Sequence, residues 1–323
     1  VKILIIKTSA IGDILQTFPV LEYLKTKFAD AQVDWIAERP SHALLEAHPL
    51  LHTVHKIDTK QRTFRSIRQA LSKLRSFSYD LVFDLQGNWK SGIITKLAKA
   101  KVKVGWDRSG VQEIGGALFT DYKIPLSLNP SRRVQYLDLV QTYFGDKTPF
   151  TPTAIPLLLS PEEKAFPFDF RAPVWMVCTG SKWKNKQLPL ASWMELLKQE
   201  ETPFLLFVHG NSKEEEMAKQ LHAQFPCRSA LLPRVSLPLL QHIMAKCDLV
   251  LSVDSAALHL CATTNTPSLS FFGPSLALCY KPLGDQHRAF QGACPYNKKF
   301  HTRCPILRTC STAACMTFNV KNR

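Results

Sequence analysis

Short apolar runs rich in β-branched residues alternate with segments of helical period along most of the chain. That alternation predicts βαβ units and a parallel sheet. In the first half, strands are expected at 1–7 (VKILIIK), 32–38, 54–58, 80–86 and 101–106, with helices at 14–28, 61–77 and 90–99. The stretch 125–170 is rich in Pro and turn residues, which places a linker at about 147–170. A second alternation follows, with strands near 174–179, 204–209, 229–232, 249–253 and 268–272 and helices near 190–199, 213–225, 236–246 and 255–263. The economical reading is an α/β chain of two Rossmann-like domains, 1–155 and 156–323, facing across a cleft. No repeat of solenoid period interrupts it.

Charge narrows the partners. Forty-one Lys and Arg stand against 26 Asp and Glu, a formal net charge of +15. The excess is spread over both halves: residues 1–150 carry 22 basic against 14 acidic side chains, and residues 151–323 carry 19 against 12. An anionic partner is implied, be it a phosphorylated ligand, a lipid surface or nucleic acid. Lys56, Lys60, Arg62, Arg65, Arg68, Lys73 and Arg75 crowd one segment whose single acid is Asp58. Such a run reads either as a solvated helix face or as a grip for an acidic ligand or lipid head group. No recognisable nucleic-acid module or aromatic stacking motif accompanies the charge, which argues against nucleic acid. There is no apolar run of eighteen residues, and the opening strand pattern predicts no export signal. Nine cysteines, mostly in apolar contexts, fit reduced thiols in a cytoplasmic protein better than a disulfide framework.

Candidate chemistry sits where strands end. After the first strand, Thr8-Ser9-Ala10-Ile11-Gly12-Asp13 brings one carboxylate to the region just beyond a strand's carboxyl end, where parallel α/β sheets bind ligands. Asp13 suits either a general base or a helix cap there. In the second half, Gly180-Ser181-Lys182-Trp183-Lys184-Asn185-Lys186 follows a strand and could hold a diphosphate, or be an exposed basic loop. Ser252-Val253-Asp254-Ser255-Ala256-Ala257-Leu258-His259 runs from strand into helix. Asp254 or Ser255 could cap that helix, with His259 one turn on, either structural or ligand-facing. Phe271-Phe272-Gly273-Pro274-Ser275 then makes a sharp turn on the same side. Motifs of dinucleotide oxidoreductases, P-loop NTPases, zincins and α/β-hydrolases are missing. Cys294, Cys304, Cys310 and Cys315, spaced C-x9-C-x5-C-x4-C in a basic tail, could be metal ligands or four structural thiols.

Taken together these motifs resemble those of ADP-heptose:lipopolysaccharide heptosyltransferases, glycosyltransferase family 9. The match runs through KTSAIGDILQTFP (7–19), DLVFDLQGNWKSG (80–92), VGWD (104–107), GSKWKNKQLP (180–189), VHGNSKEEE (208–216), LPRVSL (232–237), LVLSVDSAALHL (249–260) and FFGPS (271–275). The first segments look most like the heptosyltransferase I branch. The resemblance implies a GT-B fold and inverting, metal-independent transfer of heptose from ADP-heptose to Kdo of Kdo-lipid A, with no cofactor. It implies Asp13 as catalytic base and Ser181 and Lys186 at the donor diphosphate, with Lys182 of the same lysine-rich loop expected beside them. Glu214 would meet the donor ribose, and Asp254, Ser255, Ala256 and His259 would form the donor-binding turn. It gives the first domain the acceptor and the second the ADP-sugar; the basic run 56–75, with Lys60, Arg62, Arg65 and Arg68, is then expected to meet an anionic lipid acceptor. The enzyme would work peripherally at the cytoplasmic face of the inner membrane. Ser255-Ala256 stands where Thr-Gly is common in the family, and Leu188 where Trp is common. The four-cysteine tail departs from the heptosyltransferase I pattern and leaves open a family member with another acceptor, possibly a protein, and a metal-binding tail. A basic nucleic-acid-binding protein and a non-catalytic sugar-nucleotide binder are the rival classes. Asp13 argues against the second of these.

Overall fold

The computed structural model describes residues 1–57, 75–168, 173–201 and 203–318. It divides into two compact units, Val1–Thr153 and Ala154–Arg323, so the boundary falls two residues before the one expected from sequence. The first unit holds β1 (Lys2–Ile6), α1 (Ile11–Leu15), α2 (Phe18–Lys27), β2 (Gln32–Glu38), α3 (His42–Glu46), β3 (Thr53–Ile57), β4 (Ser78–Asp84), α4 (Trp89–Leu97), β5 (Lys99–Trp106), α5 (Gly115–Leu118), β6 (Tyr122–Ile124) and α6 (Arg132–Tyr143). Its six strands lie in the order β3-β2-β1-β4-β5-β6, every pairing parallel. Sequence order therefore reverses between β1 and β4, the point where doubly wound sheets open a crevice for ligands.

Ile3, Leu4, Ile5 and Ile6 are all fully buried, because helices cover both faces of the sheet. Each side chain of that size stabilises the fold by about 1.5–3 kcal/mol relative to exposure. The helix expected at 14–28 is two helices. Pro19 has no N–H to extend a helix through it, and Thr17 turns its hydroxyl back to the Asp13 carbonyl at 2.8 Å before α2 begins. Lys7, fully buried, donates from Nζ to Leu85 O (3.1 Å) and Tyr136 Oη (2.8 Å), which ties the carboxyl ends of β1 and β4 to α6. Most of the helix expected at 61–77, with Lys60, Arg62, Arg65 and Arg68, lies outside the described residues.

The second unit repeats the plan. It contains α7 (Pro161–Lys164), β7 (Val174–Cys178), α8 (Leu190–Lys198), β8 (Phe204–Val208), α9 (Ser212–Gln224), β9 (Ser229–Leu231), α10 (Leu237–Met244), β10 (Leu249–Val253), α11 (Ala256–Cys261), β11 (Ser268–Phe272), α12 (Ala277–Tyr280) and β12 (His287–Gln291). The order β12-β11-β10-β7-β8-β9 is again parallel throughout and reverses between β7 and β10. Trp193, Phe207 and Phe271 fill one face together with Leu188, which is buried in this core. No helix among the described residues is long and apolar enough to cross a membrane.

Candidate active site

The turn after β1 is held from the neighbouring strand. Gln86 Oε1 accepts the backbone N–H groups of Thr8 (3.1 Å) and Ser9 (3.2 Å). Gln86 is itself placed by Asp84, fully buried, whose Oδ1 accepts the N–H groups of Gln86 and Gly87 at 3.0 Å each. Burial pushes the Asp84 carboxyl up, and those N–H groups with Ser91 and Thr95 oppose the shift without cancelling it. Gly87 has φ +69, a left-handed conformation that a side chain would strain. Asp13 stands in the first turn of α1, partly exposed, with Oδ2 at 3.3 Å from the N–H of Ala10. That long contact fits the capping role and leaves the carboxylate partly exposed.

In the second unit the turns after β7 and β10 meet over the switch point. Asp254, buried at the end of β10, is the hub. Lys186 Nζ lies 2.5 Å from Asp254 Oδ2, His259 Nε2 lies 3.7 Å from Oδ1, and the Ser275 hydroxyl donates to Oδ2. The Ser181 hydroxyl donates to the Asp254 carbonyl at 3.0 Å. All five residues are buried. Burial alone would push the Asp254 carboxyl up. His259 and the Lys186 ammonium overcome that and hold it well below the usual carboxylate range. The structure thus brings Lys186, Ser181, Asp254 and His259 together and adds Ser275. The sharp turn that ends β11 was the signal for that fifth member.

The other expected donor-side features are placed as follows. Lys182 is exposed and sits over the Trp183 ring, 5.8 Å from its centroid, rather than in the cluster. Asp254 does not cap α11; Ser255 is the N-cap residue, and its side chain makes no capping bond, lying 3.2 Å from the Ser252 hydroxyl. Ala256 opens α11 and is partly exposed. Glu214 lies in the first turn of α9, where its carboxylate accepts from the Gly210 N–H (2.7 Å) and the Asn211 amide (2.7 Å). It occupies the space directly over Gly180: a Cβ there would fall 2.1–2.5 Å from the Glu214 carboxylate.

The cysteine tail packs against the same unit. Asn185, next to Lys186, donates to the carbonyls of Leu307 and Cys310 at 2.8 Å each, so the tail buttresses the lysine-bearing turn. Cys294, Cys304, Cys310 and Cys315 all line one cavity of about 280 Å³. N–H groups of Ala313 and Thr312 pull the Cys310 thiol below its ordinary range, while burial and the facing thiols push Cys315 up to about 11. Among the described residues no group of three or more His, Cys, Asp or Glu is placed to hold a metal ion.

The profile of glycosyltransferase family 9 (heptosyltransferase) matches residues 67–309, most of the chain. This chain belongs to glycosyltransferase family 9. Lipopolysaccharide heptosyltransferase 1 of Campylobacter coli is 28% identical over 307 residues, covering 87% of this chain and 86% of that protein. Lipopolysaccharide heptosyltransferase 1 of Escherichia coli K12 is 26% identical over 289 residues, covering 85% and 88%. The solved structure of E. coli heptosyltransferase WaaC with ADP-2-deoxy-2-fluoro heptose superposes with TM-score 0.77 at 23% identity, covering 91% of this chain and 94% of that one. The family 9 chain is therefore a glycosyltransferase, and its two doubly wound units are those of the GT-B fold.

Proposed function

We propose that the enzyme transfers heptose from ADP-heptose to Kdo of Kdo-lipid A, with inversion, at the cytoplasmic face of the inner membrane. The observation that carries this reading is the buried Lys186–Asp254–His259 cluster at the switch point of the second sheet, with Ser181 and Ser275 closing on it. A leaving diphosphate gains negative charge as its bond to the anomeric carbon breaks. The Lys186 ammonium, held at this turn by Asp254, is the cation assigned to that charge, with no metal in the role. In the first unit Asp13 takes the proton of the acceptor hydroxyl as its oxygen bonds to the anomeric carbon. Attack from the face opposite ADP inverts the centre. A positioned general base contributes about 10²–10⁴-fold.

Glu214 is assigned to the donor ribose, with Gly180 beneath it. Gly180→Ala is expected to evict the Glu214 carboxylate, because the new methyl takes its place, and to weaken ADP binding about tenfold; calorimetry checks it. The acceptor is assigned to the first unit, with Lys60, Arg62, Arg65 and Arg68 meeting its anionic groups. Replacing the three arginines by Gln should raise the acceptor KM and flatten its dependence on salt, with the donor KM unmoved. A change in the donor term instead would refute that division of labour. The direct test is incubation with ADP-heptose and candidate acceptors, with and without a chelator, and mass spectrometry of the products. Failure to transfer to Kdo-lipid A, or loss of transfer on chelation, would overturn the corresponding part.

A further inference from the structure

The first unit carries large apolar side chains that stand exposed among the described residues. Trp89 and Ile93, one turn apart on α4, are 46% and 47% exposed, and Ile114, just before α5, and Leu118, its last residue, are 47% and 53% exposed. Backbone packing sets α4, which bears Trp89 and Ile93, directly against the start of α5. A Cβ on Gly92 would fall 2.2 Å from the Gly115 carbonyl oxygen, and one on Gly115 would fall 2.2 Å from the Trp89 ring. The two helices therefore touch backbone to backbone, and the indole lies against the Gly115 main chain with its far face in solvent. Monomeric proteins seldom leave large apolar side chains grouped in this way unless something binds them.

Position and charge name the partner. α4 begins directly after the β4 turn, and Gln86 of that turn holds the segment leading to Asp13. The patch thus borders the acceptor side of the proposed site. Around it stand exposed Lys90, 3.9 Å from Glu38, exposed Lys96, over the Phe119 ring, and exposed Arg108. The acids beside them include Glu38, paired with Lys90, Asp107 and Glu113, and Glu113 is engaged with the Trp89 N–H at 2.8 Å. The unit as a whole carries 22 basic against 14 acidic residues. An indole and aliphatic side chains ringed by lysine and arginine suit the boundary between acyl chains and anionic head groups.

We propose that Trp89, Ile93, Ile114 and Leu118 form a membrane-docking surface that seats the first unit in the interfacial layer of an anionic bilayer, beside the Asp13 turn. This rests on the acceptor being a lipid, and the test separates the two ideas. Flotation of the full chain with phosphatidylglycerol vesicles is expected to recover it, and phosphatidylcholine vesicles should recover far less. Trp89→Ser/Ile93→Ser/Leu118→Ser should lower recovery at least tenfold. It should keep kcat/KM on a water-soluble acceptor without acyl chains and lose it on acceptor embedded in vesicles. Ile93→Asp, a single change on a face already in solvent, should act in the same direction and guards against misfolding of the triple variant. Flotation of either variant like the wild type would overturn the proposal, as would a wild type that does not float. A wild-type dimer that these changes split, seen by light scattering, would give the surface to a second copy instead. Failure of the wild type on the soluble acceptor would count against the assigned reaction and leave the flotation result standing.

Discussion

Asp13→Asn is expected to lower turnover by about 10²-fold or more while ADP affinity stays within about twofold of the wild type. The amide keeps an oxygen that can accept the Ala10 N–H, so the first turn of α1 retains its cap. What it loses is the capacity to take a proton. Asp13→Ala removes both functions and should add a loss of stability of about 1 kcal/mol, the usual worth of a cap. Single-turnover rates with thermal melts on both variants separate the roles. Near-wild-type turnover in Asp13→Asn would leave Asp13 as a cap and send the search for the base elsewhere in the turn.

Lys186→Ala should be costly in two measurements at once. Removing the ammonium leaves the Asp254 carboxylate buried with His259 and Ser275 but without its cation, and breaking one side of such a pair costs about 3–5 kcal/mol. ADP binding should weaken by about 1–3 kcal/mol, the range for hydrogen bonds to charged groups. The pH dependence has a definite sign. The folded carboxyl of Asp254 is held below its unfolded value of about 3.9, so its stabilisation is complete above that value. It is lost as pH falls toward the folded value. Without Lys186 burial is opposed by less, the folded value rises, and the acid-unfolding midpoint should move to higher pH. Lys186→Met/Asp254→Leu should recover much of the stability but none of the ADP affinity. Recovery of both would assign the pair to the fold alone.

The doubly wound architecture was legible because strands buried on both faces are spelled as continuous apolar runs, as in Ile3–Ile6 and Val250–Val253. The elements missed lack that spelling. β6 carries exposed Tyr122 and Lys123 and β12 carries Arg288 and Gln291, because each is the outermost strand of its sheet. α6 escaped because it buries Arg133, Gln135 and Gln141 along with its leucines, which erases the contrast between faces that a helical pattern depends on. The site divided along similar lines. Lys186, Asp254 and His259 could be found because each follows a strand at a loop of unusual chemistry. The turn carrying Ser275 was visible too, but its bond to Asp254, 21 positions away, was not; Gln86 acts through bonds to residues 77–78 positions away, and nothing in its immediate neighbours announces such a partner.

Gln86 has a consequence for how such a chain can be altered. The peptide groups of Thr8 and Ser9 rest on one side-chain oxygen from the turn after β4, and that turn is itself wound about Asp84. Residues 7–13 and 84–88 therefore behave as two halves of a single cassette. A chimera that imports the first from a relative and keeps the second would inherit a carboxylate without its footing. Both segments must travel together for the graft to turn over.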